Sequence, residues 1–135
     1  MPKLLTIVLL AATSMTVYAQ DSLIVKSIYF GGGSYYIDGD QVLELKEFIE
    51  SIEDLNHYEI AIFSHTDNIG SKEYNQWLSR MRSQAVFEEL INIEVPRELI
   101  EIKDFGYTNP LYTNKSHAGR VKNRRVDVIL SPIVY

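Results

Sequence analysis

The stretch that decides the fold is residues 58–82, which read YEIAIFSHTDNIGSKEYNQWLSRMR. It begins with a short apolar run, residues 58–63, of the kind that forms a buried strand. A polar loop follows, and Ser71 then stands where it can cap a helix that extends to about Asn92. The apolar residues that we expect on the core side of this helix are Leu78, Met81, Ala85 and Leu90. The stretch therefore predicts a strand, a loop and a long helix.

Similar patterns occur on both sides of this stretch. Residues 23–30, 99–105 and 125–130 are short runs rich in β-branched or aromatic side chains, which is typical of strands. Another helix is predicted after Asp38 or Asp40, since either carboxylate can cap it. The apolar positions of that helix are Val42, Leu45, Phe48, Ile49 and Ile52, which follow helical spacing. The chain therefore supplies four strands and two helices.

The order of these elements predicts an α+β fold. Residues 106–122 are polar and are predicted to form a loop before the last strand, which gives the order β-α-β-α-β-β. Strands joined by a helical crossover are expected to pair in parallel, whereas the last strand can run antiparallel. The economical packing is a sandwich of two layers: one mixed four-stranded sheet with the helices packed on one face.

The beginning of the chain predicts a secretory signal peptide. A basic start is followed by an apolar run at residues 4–12 and by Ala19 just before polar residues, which suits cleavage after Ala19. The apolar run is roughly half as long as a membrane-spanning helix requires. We expect residues 1–19 to be removed, residues 20–135 to form a single domain, and the mature chain to contain no transmembrane segment.

Charge and cysteine content exclude several classes of function. The formal net charge is −5 at pH 7, which argues against a nucleic-acid partner because phosphate neutralisation requires a basic face. The chain has no cysteine, and its three histidines are scattered along the sequence. Metal sites need clustered ligands, so we expect no metal and no other cofactor.

Asp67 and Arg82 are the candidate binding residues. Asp67 lies between a buried strand and a helix N-terminus, where the helix dipole favours a carboxylate. Asn75, Ser79 and Arg82 are spaced by four and then three residues, so they share one polar stripe, outside the core, and Arg82 leans back toward the loop. Two opposite charges would suit a zwitterion. The residues alone leave open a simpler interpretation, an Asx-turn at Asp67 and a solvated helix face.

Three segments of the chain carry a resemblance to a known family. They are residues 64–70 (SHTDNIG), residues 75–83 (NQWLSRMRS) and residues 119–126 (GRVKNRRV). In this order they resemble the signature of the OmpA-like peptidoglycan-binding domain, which is read as G-H-T-D-x-x-G, N-x-x-L-S-x-x-R-A and G-R-x-x-N-R-R-V. The resemblance covers nearly all of the chain after residue 22, and it implies the same α+β architecture that the periodicity predicts.

The resemblance also implies a function and a set of site residues. It implies that the chain binds the diaminopimelate of peptidoglycan stem peptides without catalysis, in the periplasm, near the cell wall or outer membrane. Outer-membrane or periplasmic envelope proteins are possible further partners. Asp67 matches the family's aspartate and Arg82 its arginine, which together hold the diaminopimelate. Possible supporting residues are Thr66, Asn75, Ser79 and Arg124. Arg124 and Arg125 point to opposite faces of a strand, and spacing alone leaves open which one faces the site.

Departures from the family pattern keep an alternative function open. Ser64 replaces a glycine and Ser83 replaces an alanine of the family pattern. The loop at residues 30–36 lacks the F-D-S sequence that is common in the family. The alternative is an exported module of the same fold that docks an envelope protein. A hydrolase built from Ser64, His65 and Asp67 is disfavoured, because Ser64 and His65 are neighbours on a strand and point to opposite faces.

Overall fold

The computed structural model describes residues 23–108 and 110–134. The predicted signal peptide, residues 1–19, lies outside the described residues. The strands are β1 (Ile24–Tyr29), β2 (Tyr58–Ser64), β3 (Ile100–Asp104) and β4 (Arg125–Pro132). The helices are α1 (Gly39–Glu50), α2 (Lys72–Asn92) and α3 (His117–Asn123), with short 3₁₀ turns at Leu55–His57 and Arg97–Leu99.

The four strands form one mixed sheet in the order β1-β4-β2-β3. β2 and β3 are parallel and are joined through α2, whereas β4 runs antiparallel to both β1 and β2. The predicted mixed four-stranded sheet is confirmed. Direct pairing of the first two strands was wrong, because β4 lies between them. Val126, Val128 and Leu130 are fully buried, which suits β4 to this central position.

The hydrophobic core lies between one face of the sheet and helices α1 and α2. The sheet contributes Ile28, Ile60, Ile62, Val126, Val128 and Leu130, and the helices contribute Leu45, Ile49, Val86 and Leu90. On α2, Met81 and Ala85 are only partly buried, so Val86 fills a core position that the sequence pattern did not identify. Within the described ranges, no helix combines the length and the apolar character needed to cross a membrane.

Side-chain caps fix where both long helices begin. Asp38, not Asp40, caps α1, since its Oδ1 accepts a hydrogen bond of 3.0 Å from the backbone N–H of Gln41. That hydrogen bond holds the pKa of Asp38 below its ordinary value. Ser71 caps α2 as predicted, and its Oγ accepts from the backbone N–H of Tyr74 at 3.0 Å. The α2 cap fixes the end of the loop that carries Asp67.

The prediction that residues 106–122 form only a polar loop was wrong in part, because helix α3 begins at His117. Ser116 caps this short helix by accepting from Gly119, and Asn123, fully buried at its end, holds the preceding chain. Asn123 Nδ2 donates to Tyr112 O and Asn114 Oδ1, both at 2.8 Å. Seven residues are too few for a hydrophobic period to be recognised, and polar hydrogen bonds stabilise the helix instead.

Candidate functional site

A cleft of about 210 Å³ opens where the β1–α1 loop, the β2–α2 loop, the first half of α2 and the residue before β4 meet. The residues in its wall include Gly32, Asp67, Tyr74, Asn75, Arg82 and Arg124. Four of the predicted site residues are thus brought together: Asp67, Asn75, Arg82 and Arg124. The cleft combines one carboxylate with two guanidinium groups.

Asp67 divides its two carboxylate oxygens between a turn and the cleft. Oδ1 accepts from the backbone N–H of Ile69 at 3.1 Å, which is the Asx-turn of the simpler interpretation. Oδ2 lies 3.4 Å from Nη1 of Arg124, which is long for a charge-assisted hydrogen bond. Asp67 therefore fixes its own loop and also presents a negative oxygen to the cleft.

Arg124 faces the cleft and Arg125 does not. The Nε of Arg124 donates to Phe30 O at 3.3 Å, and 16% of its side chain remains exposed. Arg125 instead donates from Nε to both carboxylate oxygens of Asp127 at 3.1 Å, and its guanidinium lies 5.2 Å from the ring centre of Tyr112. These contacts settle the orientation that the spacing left open.

Arg82 is fully buried, with 0% of its surface exposed. Its three nitrogens donate to three backbone carbonyls: Nε to Ser34 at 2.8 Å, Nη1 to His65 at 3.1 Å and Nη2 to Gly31 at 3.1 Å. The expectation that Arg82 lies outside the core was wrong. The loops after β1 and β2 fold over it, and a guanidinium fork provides the donors that their carbonyls require.

The charge of Arg82 persists despite this burial. Burial lowers the pKa of Arg82 to about 10, the negative charge of Asp67 opposes that shift, and the positive charge of Arg124 adds to it. A pKa of about 10 keeps the guanidinium protonated at neutral pH. Arg82 therefore forms a fixed positive charge in the wall of the cleft, with Arg124 as the more accessible cation.

The other predicted residues divide between the cleft and the scaffold. Asn75 Nδ2 donates to Ile69 O at 3.0 Å, and in the part of the chain that the structure describes its buried Oδ1 has no hydrogen-bond partner. Thr66 Oγ1 donates to Asp67 O at 2.9 Å, and Ser79 Oγ donates to Gln76 O at 3.0 Å. Thr66 and Ser79 are buried away from the lining of the cleft, so their visible contacts support its walls.

Tyr74 belongs to the cleft but was not among the site residues predicted from the sequence. Its ring packs against Gly33 and Gly70, both in the left-handed backbone region, with φ of +68° and +100°. A Cβ at Gly70 would lie 2.9 Å from Tyr74 Cδ1, and one at Gly33 would lie 3.2 Å from Tyr74 Oη. The sequence signal that could have pointed to Tyr74 was the presence of two loop glycines, Gly33 and Gly70, which leave room for its ring.

Residues that might have formed a hydrolase or a metal centre lie apart. Ser64 Oγ is buried, and His65 stacks on Phe105 with 5.5 Å between ring centroids, whereas Asp67 faces Arg124. The Nε2 of His65 lies 3.8 Å from Asp127 Oδ2, on the Arg125 side of the strand. Among the described residues, no three His, Asp or Glu side chains form a group that could hold a metal ion.

Comparisons with known proteins match the chain to one family. The family model described as the OmpA family matches residues 29–124. Outer-membrane lipoprotein YfiB of Pseudomonas aeruginosa is 30% identical over 103 residues, which cover 76% of this chain and 61% of that protein. Peptidoglycan-binding protein ArfA of Mycobacterium tuberculosis is 35% identical over 72 residues, which cover 53% of this chain and 22% of that protein.

A solved structure agrees with the sequence comparisons. The peptidoglycan-associated lipoprotein from Burkholderia pseudomallei superposes with a TM-score of 0.73 at 26% identity, covering 78% of this chain and 90% of that one. The predicted resemblance is thereby confirmed. This chain, which spans only 61% of YfiB and less of ArfA, belongs to the OmpA family.

Proposed function

We propose that the chain binds peptidoglycan non-covalently and that the cleft receives the diaminopimelate of a stem peptide. Support comes from two similar proteins whose names describe them as peptidoglycan-binding and peptidoglycan-associated. The observation that carries the proposal is the meeting of Asp67, Arg82 and Arg124 in one cleft. Diaminopimelate ends in an ammonium and a carboxylate on one carbon, so its charges complement this arrangement.

The contact between Asp67 and Arg124 offers a route for ligand entry. At 3.4 Å the pair is held loosely. A zwitterion would insert its ammonium at Asp67 Oδ2 and its carboxylate at the Arg124 guanidinium. One long contact is then replaced by two charge-assisted hydrogen bonds, which typically have lengths of about 2.7–2.9 Å. The exchange leaves no charge unpaired, which favours binding in a site that is mostly buried.

Arg82 and Asn75 complete the two poles of the proposed site. The bonds from Arg82 to backbone carbonyls use three of the five N–H groups that a guanidinium carries. We assign the remaining N–H groups, and the buried positive charge, to the ligand carboxylate. The Oδ1 of Asn75 is an acceptor in the same wall and suits the ligand ammonium. Thr66 and Ser79 support the loop and the helix that carry these groups.

The proposed setting is the cell envelope. Residues 1–19 would direct export and be removed, leaving residues 20–135 as one domain that tethers or organises the envelope through the wall. The similar YfiB is described as an outer-membrane lipoprotein, which is consistent with this location. The role is one of binding without catalysis, and any docking to envelope proteins would be additional to wall binding.

Co-sedimentation with purified sacculi tests the proposal through Asp67→Asn. Asparagine keeps a side-chain oxygen for the N–H of Ile69, so the turn persists while the charge is lost. We expect affinity to fall by about tenfold to a hundredfold, the equivalent of one charge-assisted contact. The matched control is Asp40→Asn, at an exposed position of helix α1, which should bind like the wild type. Wild-type binding by folded Asp67→Asn would refute the proposed site.

A further inference from the structure

An exposed group of aromatic rings continues from the cleft along α2. The ring centroids of Tyr74 and Trp77 are 5.9 Å apart, and those of Trp77 and Tyr35 are 6.0 Å apart at an interplanar angle of 90°. Trp77, the only tryptophan of the chain, is 41% exposed. We call Tyr35, Tyr74 and Trp77 the aromatic surface. The hydrophobic core does not contain these rings, and clustered exposed aromatic side chains are typical of binding sites.

A groove of about 530 Å³ extends the aromatic surface away from the cleft. One wall is the loop that carries Tyr35 and Tyr36, the latter 75% exposed, and the other wall is the second half of α2 with Glu88 and Glu89. Positions 77, 81, 85 and 88 are spaced by four, four and three residues and therefore share one helix face. Tyr35 contacts Trp77 and also lines the groove, so the aromatic surface and the groove adjoin each other.

We infer that the aromatic surface and the groove bind the glycan strand of peptidoglycan, an inference that rests on the proposed function. A pyranose ring has an apolar face of C–H groups that packs on an aromatic ring, and its hydroxyl and acetamido groups donate hydrogen bonds. The exposed rings of Tyr35 and Trp77 supply the apolar partners. Glu88 and Glu89 supply acceptors for the donors.

The dimensions of the path agree with a ligand that spans both sites. Tyr74 lines the cleft and also contacts Trp77, so the aromatic surface begins where the proposed stem-peptide site ends. Two amino-acid residues separate diaminopimelate from the sugar in a stem peptide, and when extended they reach at least about 7 Å. The stem peptide is therefore long enough to cover the 5.9 Å between the ring centroids of Tyr74, in the cleft, and Trp77, on the aromatic surface.

The charges of the groove disfavour a membrane as the occupant. Anionic lipid headgroups attract lysine and arginine, whereas the charged residues in the wall of the groove are Glu88 and Glu89. A neutral polymer with many hydrogen-bond donors avoids this repulsion. The glycan strand fits that description, since the carboxyl group of each muramic acid is in amide linkage to a stem peptide and the sugars therefore carry no charge.

The fluorescence of Trp77 tests the inference directly, because no other tryptophan contributes to the signal. The probes are glycan strands from which an amidase has removed the stem peptides and in which the freed muramic acid carboxylates have been converted to neutral amides, and a free tripeptide that contains diaminopimelate. We expect the peptide-free glycan to shift Trp77 emission saturably in the wild type and in Asp67→Asn. We expect Tyr35→Ala to weaken that response about tenfold. Tyr29→Ala, an equally exposed tyrosine on β1, should leave it unchanged.

The two probes separate this inference from the proposed function. If peptide-free glycan leaves Trp77 emission unchanged while the tripeptide and sacculi bind normally, the glycan site is refuted and the stem-peptide site stands. If Trp77→Ala weakens sacculus binding severalfold without altering tripeptide binding, the glycan site is supported. A glycan response that Tyr35→Ala and Tyr29→Ala reduce equally would also overturn the inference.

Discussion

Asp67 Oδ2 and Arg124 Nη1 lie 3.4 Å apart, and this contact joins the β2–α2 loop to the residue before β4. The next arginine along the chain makes a tighter pair, since Arg125 Nε lies 3.1 Å from both oxygens of Asp127. The neighbouring arginines thus differ in purpose as well as direction. Arg125 stabilises strand β4 through its ion pair with Asp127, whereas Arg124 presents a loosely paired positive charge to the cleft.

Arg124→Ala is expected to reduce sacculus affinity by about tenfold to a hundredfold with a small loss of stability. The guanidinium is the most accessible cation of the cleft, and its two visible hydrogen bonds are long, at 3.3 and 3.4 Å. Loss of one charge-assisted contact to the ligand carries this cost. Binding isotherms and thermal unfolding measure the two effects. Arg124→Lys should bind with intermediate affinity, because it keeps the charge without the bidentate fork.

Binding that is unchanged in a folded Arg124→Ala variant would show that the ligand carboxylate does not meet Arg124. A large loss of stability without a change in affinity would point the same way. In either case the residue would serve only to hold Asp67 and the carbonyl of Phe30.

Arg82→Ala is expected to destabilise the fold by about 3 kcal/mol, since three backbone carbonyls lose their donor and Asp67 loses a buried countercharge. Urea unfolding measures the loss. The matched control is Arg80→Ala, two residues earlier on the exposed side of α2, which should change stability by less than about 0.5 kcal/mol. Equal stability of the two variants would contradict the scaffold role that we assign to Arg82.

Gly119→Ala is expected to unfold the region around α3, because a Cβ there would collide with the carbonyl group of Thr113. The clash involves backbone, which yields less readily than a side chain, so we expect a loss of more than about 2 kcal/mol. Gly39→Ala is the control: a Cβ at Gly39 meets no atom within 4 Å, and alanine suits the first turn of α1. Amide hydrogen exchange at residues 112–124 would reveal the difference, and equal protection in both variants would contradict it.

The local sequence pattern predicted the strands, the two long helices and the Ser71 cap, because hydrophobic spacing and capping residues involve only neighbouring positions of the chain. It did not find α3, whose seven residues depend on Asn123 and on a glycine that packs against Thr113. The burial of Arg82 was also missed. Helical spacing places it on a polar stripe, but the loops that cover it come from residues 31–34 and residue 65. Such contacts between distant segments leave no periodic signal in the sequence.

The central claim is that the cleft recognises both charges of diaminopimelate, and a comparison of two kinds of sacculi tests it most directly. Lysine, which replaces diaminopimelate in some cell walls, has the side-chain ammonium without the carboxylate. We expect the wild type to bind diaminopimelate-containing sacculi at least about tenfold more tightly than lysine-containing sacculi. Arg124→Ala should lower the first affinity to the level of the second. Equal affinity of the wild type for both kinds of sacculi would contradict the account.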